Sequence, residues 1–418
     1  MSKESRPSAF GRRLRRHSLV LVAALGGAAG VAYAAGRHAK APAPKVTVFA
    51  WSKADNTPAA IATPAELPRD TVQDTVQIAL LLDTSSSMDG LINQARSQLW
   101  TMVDQMGRMT RVVDGKTRGV RVELALFEYG NTRIPAADGY IRQVLPLTGD
   151  LDRVSEQLGA LFTNGGDEYV GQAITKAVSS LAWSKDPAAM KFVFVAGNEE
   201  FDQGPVSAAA AMKAAAGADI HVQLIYCGNE EPTWKAAANL AASDLMTIDQ
   251  NVVAQAIAAP QDDEILRLGN ELNGTYLAYG ADGAAAMARQ SGADAASAKL
   301  SKKVALERSQ LKAKAAYRND TWDVVDAIEK DADFLGKATP DALPAELRGK
   351  SQAEQRQIIA SKAAARADLK AKLAKLEADR TAFIAAEQAK NAGPEQKVLE
   401  TELMKSTKKV AAKKGYKF

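Results

Sequence analysis

Cysteine and histidine are scarce in this sequence. Cys227 is the one cysteine among 418 residues, so the chain cannot form an intramolecular disulfide, a thiolate zinc cage or a cysteine-held cluster. Of three histidines, His17 and His38 lie in or beside an apolar stretch near the N-terminus, and His221 stands alone in the folded part. This scarcity argues against a Ser-His-Asp hydrolase, a histidine-rich zinc enzyme and a histidine general base.

A nucleotide-binding loop is also lacking. Gly115-Lys116-Thr117 is similar to the end of a phosphate-binding loop, but Thr110 stands where that loop needs glycine, and no buried strand leads into it. No G-x-G-x-x-G sequence follows a predicted strand. We therefore predict that the chain binds neither a nucleotide nor a dinucleotide.

Charge is unevenly distributed along the chain. The formal net charge is +4, but residues 1–34 carry +5, residues 35–280 carry −9 and residues 281–418 carry +8. Hydrophobic residues make up 46% and charged residues 24% of the chain, which is a globular composition with room for about two or three domains. An acidic body is thus followed by a basic C-terminal third.

Residues 1–34 have the features of an export segment. Four arginines within 12–16 precede an uncharged run, and Ala32-Tyr33-Ala34 matches a small-x-small cleavage site. We predict a signal peptide cut after Ala34, with an uncleaved membrane anchor as the alternative. In both cases the rest of the chain is exported, to the periplasm or to the periplasmic side of the inner membrane.

The remainder divides into three parts by composition. Residues 35–70 are rich in proline and alanine without a sustained apolar period, which is typical of a linker. Residues 71–280 alternate apolar strands with amphipathic helices. Residues 281–418 are rich in alanine, lysine and glutamate and are predicted to be helical, with a basic tail.

The alternating part predicts a doubly wound α/β fold. Strands are expected at 76–82, 120–129, 140–147, 191–196 and 220–226, and helices at 91–106, 151–161, 171–183, 206–216 and from Asp262 onward. Such alternation favours a mainly parallel sheet with helices on both faces, whose binding crevice lies beyond the carboxyl ends of the strands.

A short motif of oxygen-bearing residues follows the first predicted strand. Asp83, Ser85 and Ser87 form a D-x-S-x-S sequence between that strand and a helix. One carboxylate and two hydroxyls suit an octahedral Mg²⁺ or Mn²⁺ that keeps several waters. An open position on such an ion would accept a carboxylate from a partner protein. The alternative is that these residues cap the following helix.

The motif resembles the metal-ion-dependent adhesion site (MIDAS) of von Willebrand factor type A (vWA) domains. The resemblance implies that a second loop supplies a threonine and that a third loop, after the fourth strand, supplies an aspartate. Here Asp167 stands at the threonine place and Gly197 at the aspartate place. Since one carboxylate is gained where another is lost, we predict a metal site formed by Asp83, Ser85, Ser87 and Asp167.

Further contacts to the metal or to the partner are expected from the same two loops. The candidates are Glu168, Asn198, Glu199 and Asp202. The segments NGGDEYVGQ, VAGNEEFDQGPV, TIDQ and DDEILRL are similar to those of a narrower group of bacterial exported proteins with a vWA domain. That resemblance implies a location in the cell envelope and a fold, but no settled activity.

The helical region carries a weak heptad pattern. The apolar residues that fit the a and d positions of heptads are Ile359, Leu369, Leu373, Leu376 and Phe383. Three charged residues, Lys362, Arg366 and Arg380, interrupt this seam. Packing on the main domain or a short hairpin is therefore favoured over a long oligomeric coiled coil. Six lysines crowd residues 405–417 and predict a solvated basic tail, or alternatively a contact with anionic lipid or envelope polymer.

These features predict an exported binding protein rather than an enzyme. The vWA domain would bind a protein ligand through Mg²⁺ or Mn²⁺, with an acidic side chain of the ligand completing the metal shell. The alternative is a structural envelope scaffold with a vestigial metal site that binds through the basic helical region. Nucleic acid is not expected as a partner.

Overall fold

A computed structural model of the chain describes residues 73–229, 231–243, 245–249, 257–390 and 399–418. All of them belong to one compact unit, Thr63–Phe418. The predicted export segment and linker lie outside the described residues. Within the described ranges, no helix is both long enough and apolar enough to cross a bilayer.

The described strands and helices follow the predicted alternation. The strands are β1 Asp74–Asp83, β2 Thr110–Val113, β3 Lys116–Arg118, β4 Val120–Tyr129, β5 Ile141–Thr148, β6 Met190–Gly197, β7 His221–Cys227, β8 Leu245–Ile248 and β9 Tyr416–Lys417. The helices are α1 Asp89–Gly107, α2 Leu151–Ala160, α3 Val170–Ser180, α4 Ala208–Gly217, α5 Pro232–Leu240, α6 Asp262–Asn273, α7 Gly283–Leu300, α8 Lys302–Lys312, α9 Val324–Lys330, α10 Phe334–Lys337, α11 Gln352–Lys390 and α12 Leu399–Lys413.

The central sheet has six strands in the order β5-β4-β1-β6-β7-β8. All neighbouring pairs run parallel except β4 and β5 at one edge, which are antiparallel. β1 is central, and all its residues except Thr75 are buried. Its continuous apolar run reflects helices that cover both faces of the sheet. The predicted doubly wound, mainly parallel fold is confirmed.

The two faces of the sheet bury separate cores. Alternate residues of β1 point to opposite faces, so that Ala79 and Leu81 pack with α3, α4 and α5, whereas Ile78 and Leu80 pack with α1 and α2. Because β1, β4 and β6 run parallel, their carboxyl ends meet at one edge of the sheet. We call this the metal edge, since Asp83 is the last residue of β1.

The helical region packs on the main domain, one of the two arrangements that the sequence favours, and it does so on the face of the sheet covered by α1 and α2. The guanidinium of Arg308 in α8 lies over the ring of Trp100 in α1 at 4.5 Å and contacts Asp152 of α2 at 2.6 Å. Trp100 Nε1 donates to Ser297 Oγ of α7 at 2.8 Å. These buried contacts make α7 and α8 part of the same core as α1, the helix that follows the loop at 84–88.

Helix α11 uses one of its predicted seam interruptions as its main anchor. Arg366 is 4% exposed, and its Nη1 donates to Asp323 Oδ2 and Asp326 Oδ1, both at 2.7 Å. Ile359 and Leu373 are buried beside it along the same helix. The charged residue that breaks the heptad pattern therefore marks the contact face with α6 and α9 rather than a solvent face.

The predicted solvated tail is a folded element. Helix α12 buries Leu403 and Met404, and β9 adds a strand to β2, whose other neighbour is β3. Tyr416 Oη donates to Asp74 Oδ2 at 3.0 Å, which ties the C-terminal strand to the start of β1. The lysines of α12 remain largely at the surface, so contact with an anionic lipid or polymer stays a prediction.

Candidate metal centre

Asp83 forms the floor of the site at the metal edge. Its side chain is fully buried, and its Oδ1 accepts a hydrogen bond from the backbone N–H of Ser85 at 2.7 Å. Its Oδ2 is also buried but has no hydrogen-bond partner among the described residues. This arrangement differs from an ordinary helix cap, because the first turn of α1 has no side-chain cap and Asp83 bonds the loop instead.

The two serines of the motif lie side by side above Asp83. Ser85 Oγ and Ser87 Oγ are 3.2 Å apart. The side-chain amide of Asn198, which follows β6, reaches Ser87: its Nδ2 donates to Ser87 Oγ at 3.0 Å. The structure thus brings Asp83, Ser85, Ser87 and Asn198 together from two different loops.

A second carboxylate, Glu168, enters the site from the loop before α3. Glu168 is 5% exposed, and its Oε2 is buried without a hydrogen-bond partner in the described part of the chain. A Cβ on Gly130 would lie 2.8 Å from both Asp83 Oδ1 and Glu168 Cγ. The absence of a side chain at Gly130 therefore lets the two carboxylate-bearing side chains lie next to each other.

The loop that carries Glu168 is held by backbone contacts. The N–H of Asn164 donates to the carbonyl of Thr84 at 2.9 Å, and the N–H of Thr132 donates to the carbonyl of Gly165 at 2.9 Å. A Cβ on Gly166 would lie 2.6 Å from the carbonyl oxygen of Gly130, a distance too short for any side chain. Close backbone packing at Gly166 thus fixes the position of the following residues.

Asp167 does not join this cluster. Its side chain is exposed, and its Oδ2 accepts from Tyr169 Oη at 3.4 Å. The residue predicted for the threonine place therefore lies on the rim, while its neighbour Glu168 takes the inner position. The sequence offered no way to choose between adjacent acidic residues, because the choice depends on how the Gly165-Gly166 backbone turns against Gly130.

The other two acidic candidates also lie on the rim. Glu199 and Asp202 are both exposed. Glu199 is anchored through its backbone, since its carbonyl accepts from Trp234 Nε1 at 2.6 Å. The negative charge of the Glu199 carboxylate still acts on the site, because it raises the pKa of Asp83 and that of Glu168.

Burial changes the titration of both inner carboxyls. Burial raises the pKa of Asp83 to about 7, although the N–H and hydroxyl of Ser85 lower it. Burial and, after it, the neighbouring charge of Asp83 together raise the pKa of Glu168 to about 8. Two adjacent buried carboxyls that resist ionisation in the metal-free protein favour a cation that would neutralise them.

The departure at Gly197 has a physical reason. A Cβ at this position would lie 2.5 Å from Tyr129 Oη and 3.4 Å from Asp83 Oδ2. Tyr129 is fully buried, and its hydroxyl donates to the carbonyl of Ala196 at 2.8 Å. The hydroxyl of Tyr129 therefore occupies the space that a side chain at 197 would need. Sequence reasoning missed this residue, which reads as an ordinary strand aromatic.

The donor set fits a hard divalent cation. It comprises two carboxylates, each with an unpartnered buried oxygen, and two hydroxyls, all of them oxygen ligands of the kind that Mg²⁺ and Mn²⁺ prefer. No three His, Cys, Asp or Glu side chains converge on a common metal position within the described ranges. Any metal held here would thus depend on the serine hydroxyls and on water as well as on carboxylates.

A family comparison agrees with this fold. The model of the von Willebrand factor type A domain matches residues 77–255. No curated protein matches the sequence. Similar solved structures include proximal thread matrix protein 1 from the mussel byssus, at 13% identity and a TM-score of 0.32, with 42% of each chain covered.

Two further solved structures are similar to the same extent. One is the mussel byssus protein with a zinc-occupied MIDAS motif, at 13% identity and a TM-score of 0.32, covering 42% of this chain and 41% of that chain. The other is a von Willebrand factor type A structure from Catenulispora acidiphila, at 17% identity and a TM-score of 0.31, covering 42% of this chain and 39% of that one. The match thus spans about two fifths of each of these structures. Together with the sheet order, the family match identifies residues 77–255 as a von Willebrand factor type A domain.

Proposed function

We propose that the vWA domain is a metal-dependent binding module, in which Asp83, Ser85, Ser87 and Glu168 hold Mg²⁺ or Mn²⁺. The observation that carries this proposal is the pair of adjacent buried carboxylates, each with an oxygen that no described group satisfies. Leaving a buried polar oxygen unpaired costs stability, so such pairs call for an explanation such as an ion. Glu168 takes the role that the sequence pattern suggested for Asp167.

Each residue of the site would have a distinct role in metal binding. Asp83 and Glu168 would supply the charge, and the hydroxyls of Ser85 and Ser87 would supply neutral oxygens. Asn198 orients the Ser87 hydroxyl through its amide. The bound metal would offer an open coordination position to a carboxylate of a partner protein. No chemical reaction is part of the proposal, because binding needs none.

The setting of this function is proposed from the sequence. The export segment predicted at residues 1–34 supports a location in the cell envelope, in the periplasm or on the inner membrane facing it. The partner would be another envelope protein with an accessible acidic side chain. The alternative of a scaffold that binds through its basic region gains no support from α12, whose apolar face is occupied by the fold.

Calorimetric titration of the full chain with Mg²⁺ and with Mn²⁺ tests this proposal. The full chain is needed because α1 buries Trp100 against the helical region, so a fragment that ends near residue 280 would expose this surface. Saturable binding is expected for the wild type and for Asp167→Asn. Binding is expected to be lost in Asp83→Asn and weakened in Glu168→Gln. Absence of binding by the wild type would overturn the proposal.

A further inference from the structure

The metal edge carries a strong excess of negative charge at the surface. Four of its loops, at 84–88, 163–169, 198–206 and 228–231, contain no lysine or arginine. We use the name acidic edge for its exposed carboxylates, which are Asp89, Asp138, Asp167, Glu199, Glu200 and Asp202. In the described loops that follow β1, β4 and β6, one residue is a lysine or an arginine. It is Arg133, which is exposed in the loop between β4 and β5.

Buried carboxylates lie at the centre of the acidic edge. Asp83 and Glu168 are 0% and 5% exposed, and each has one oxygen without a hydrogen-bond partner in the described structure. Because these two side chains are buried, the negative charge that a docking surface would meet is that of the exposed carboxylates around them. The exposed carboxylates therefore supply the surface charge of the acidic edge.

The opposite end of the sheet has the opposite charge. We use the name basic edge for the exposed cations around the start of β1 and the small sheet β3-β2-β9, which are Lys116, Arg121, Lys185, Lys413 and Lys417. Arg111, Arg118, Lys191 and Lys414 add further positive charge there, against the carboxylates Asp74, Asp114, Glu123, Asp186 and Asp219. The balance at this edge is positive.

The two edges lie at opposite ends of one strand. Asp74, the first residue of β1, accepts from Tyr416 Oη of the basic edge, whereas Asp83, the last residue, lies at the centre of the acidic edge. A strand of ten residues spans about 30 Å. This separation exceeds the Debye length at physiological salt, which is about 8 Å, so the two edges act as separate surfaces.

We propose that the basic edge of one copy of this chain docks on the acidic edge of a second copy, so that the protein self-associates head to tail. The occupant is a second copy because the chain itself carries the complementary charge, and the rigid strand direction keeps the two surfaces from meeting within one molecule. Such a contact is heterologous, and repeated addition builds rings or open filaments. The contact rests on surface charge and needs no metal.

Sedimentation velocity of the full chain in a non-ionic detergent tests this association. At about 0.01 M salt the Debye length is about 30 Å, so the basic edge of one molecule attracts the acidic edge of another over a long distance. About 1 M salt shortens the Debye length to about 3 Å and screens this attraction. Dimers and larger species are expected at low salt and monomers at high salt, in EDTA as well as in Mg²⁺. Association in EDTA separates this inference from the metal proposal. Monomers under all conditions would overturn the inference.

A charge-swap experiment tests the head-to-tail arrangement. One variant reverses the acidic edge with Glu199→Lys, Glu200→Lys and Asp202→Lys, and another reverses the basic edge with Lys116→Glu, Lys413→Glu and Lys417→Glu. Each variant alone has two ends of like charge and is expected to stay monomeric. A mixture of the two is expected to associate, because the basic ends of one then face the acidic ends of the other.

A matched control changes the same charge elsewhere. Asp333→Lys, Asp341→Lys and Glu346→Lys replace exposed carboxylates between α9 and α11 and are expected to leave the association unchanged. Loss of association in this control, or failure of the two swap variants to associate on mixing, would overturn the inference. Recovery on mixing also shows that both variants are folded.

Discussion

Tyr129 on β4 and Gly197 on β6 fit together across the metal edge. A Cβ on residue 197 would lie 2.5 Å from Tyr129 Oη, which in turn donates to the carbonyl of the preceding residue, Ala196. The missing aspartate and the strand tyrosine are therefore one structural feature. Burial raises the pKa of Tyr129 well above its usual value, so the hydroxyl keeps its proton and remains a donor.

This fit predicts a non-additive pair of substitutions. Gly197→Ala is expected to destabilise the protein by about 1–3 kcal/mol, because the added methyl overlaps the Tyr129 hydroxyl. In the Tyr129→Phe background the cost of Gly197→Ala is expected to be smaller, since the hydroxyl is gone. Urea denaturation of the two single variants and the double variant measures this coupling. Strict additivity would contradict the fit.

The inner and rim carboxylates are predicted to differ in their effect on metal affinity. Substituting a residue in the outer shell of a metal site costs about 10–100-fold in affinity, and loss of a direct ligand should cost at least as much. Glu168→Gln is therefore expected to weaken Mn²⁺ binding by at least about tenfold. Asp167→Asn is its neighbouring control and is expected to change the affinity much less. A larger loss of affinity in Asp167→Asn than in Glu168→Gln would contradict this prediction, because it would show that Asp167 and not Glu168 faces the metal.

The raised pKa values predict how the metal-free protein responds to pH. Asp83 and Glu168 bind protons more tightly in the folded state, with pKa values of about 7 and about 8, than in the unfolded chain. Their contribution to stability is therefore full below the unfolded pKa values, near 4, and is lost as the pH rises through 7 and 8. In EDTA the thermal midpoint is expected to fall over this range.

Two comparisons test that pH response. Saturating Mg²⁺ is expected to reduce the fall, because an ion bound only by the folded state compensates the two ionised carboxylates. Asp83→Asn is also expected to flatten the profile, since it removes one of the titrating groups and the charge that acts on Glu168. A profile for Asp83→Asn as steep as that of the wild type would contradict the assignment.

The ion cluster between the vWA domain and the helical region predicts a large loss of stability when it is broken. Arg308 is 1% exposed and contacts both Asp152 and Asp294. Arg308→Leu leaves buried carboxylates without their guanidinium and is expected to cost about 3–5 kcal/mol of unfolding free energy. Arg267→Leu, which removes exposed ion pairs with Glu264 and Glu271, is the control and is expected to cost much less.

Much of the fold follows from the sequence because its core strands are buried on both faces. The expected strand at 120–129 agrees with β4 in both bounds, and the run 76–82 lies within β1. Apolar residues on both faces produce a continuous run that few other structures explain. Short or half-exposed elements, such as β2, β3 and β9, carry no such signal, because their partners are distant in sequence.

The site itself is less accessible to sequence reasoning. The D-x-S-x-S motif identified Asp83, Ser85 and Ser87, because their spacing within one tight loop fixes their proximity. Glu168 was a secondary candidate, since its inward position depends on the backbone contact between Gly166 and Gly130. Arg366 is a second residue whose position depends on contacts distant in sequence. Its guanidinium interrupts an apolar seam, and it is buried because it donates hydrogen bonds to carboxylates 40 and 43 positions away.

The most direct test of the account is to locate the ion in a crystal of the full chain grown with Mn²⁺, by its anomalous scattering. We expect one peak within about 2.0–2.3 Å of a carboxylate oxygen of Asp83, bordered by Ser85, Ser87 and Glu168. The same crystal of Asp83→Asn should lack the peak. A wild-type crystal without a peak at this edge, or with the ion held by Asp167 on the rim and not by Asp83, would contradict the central claim.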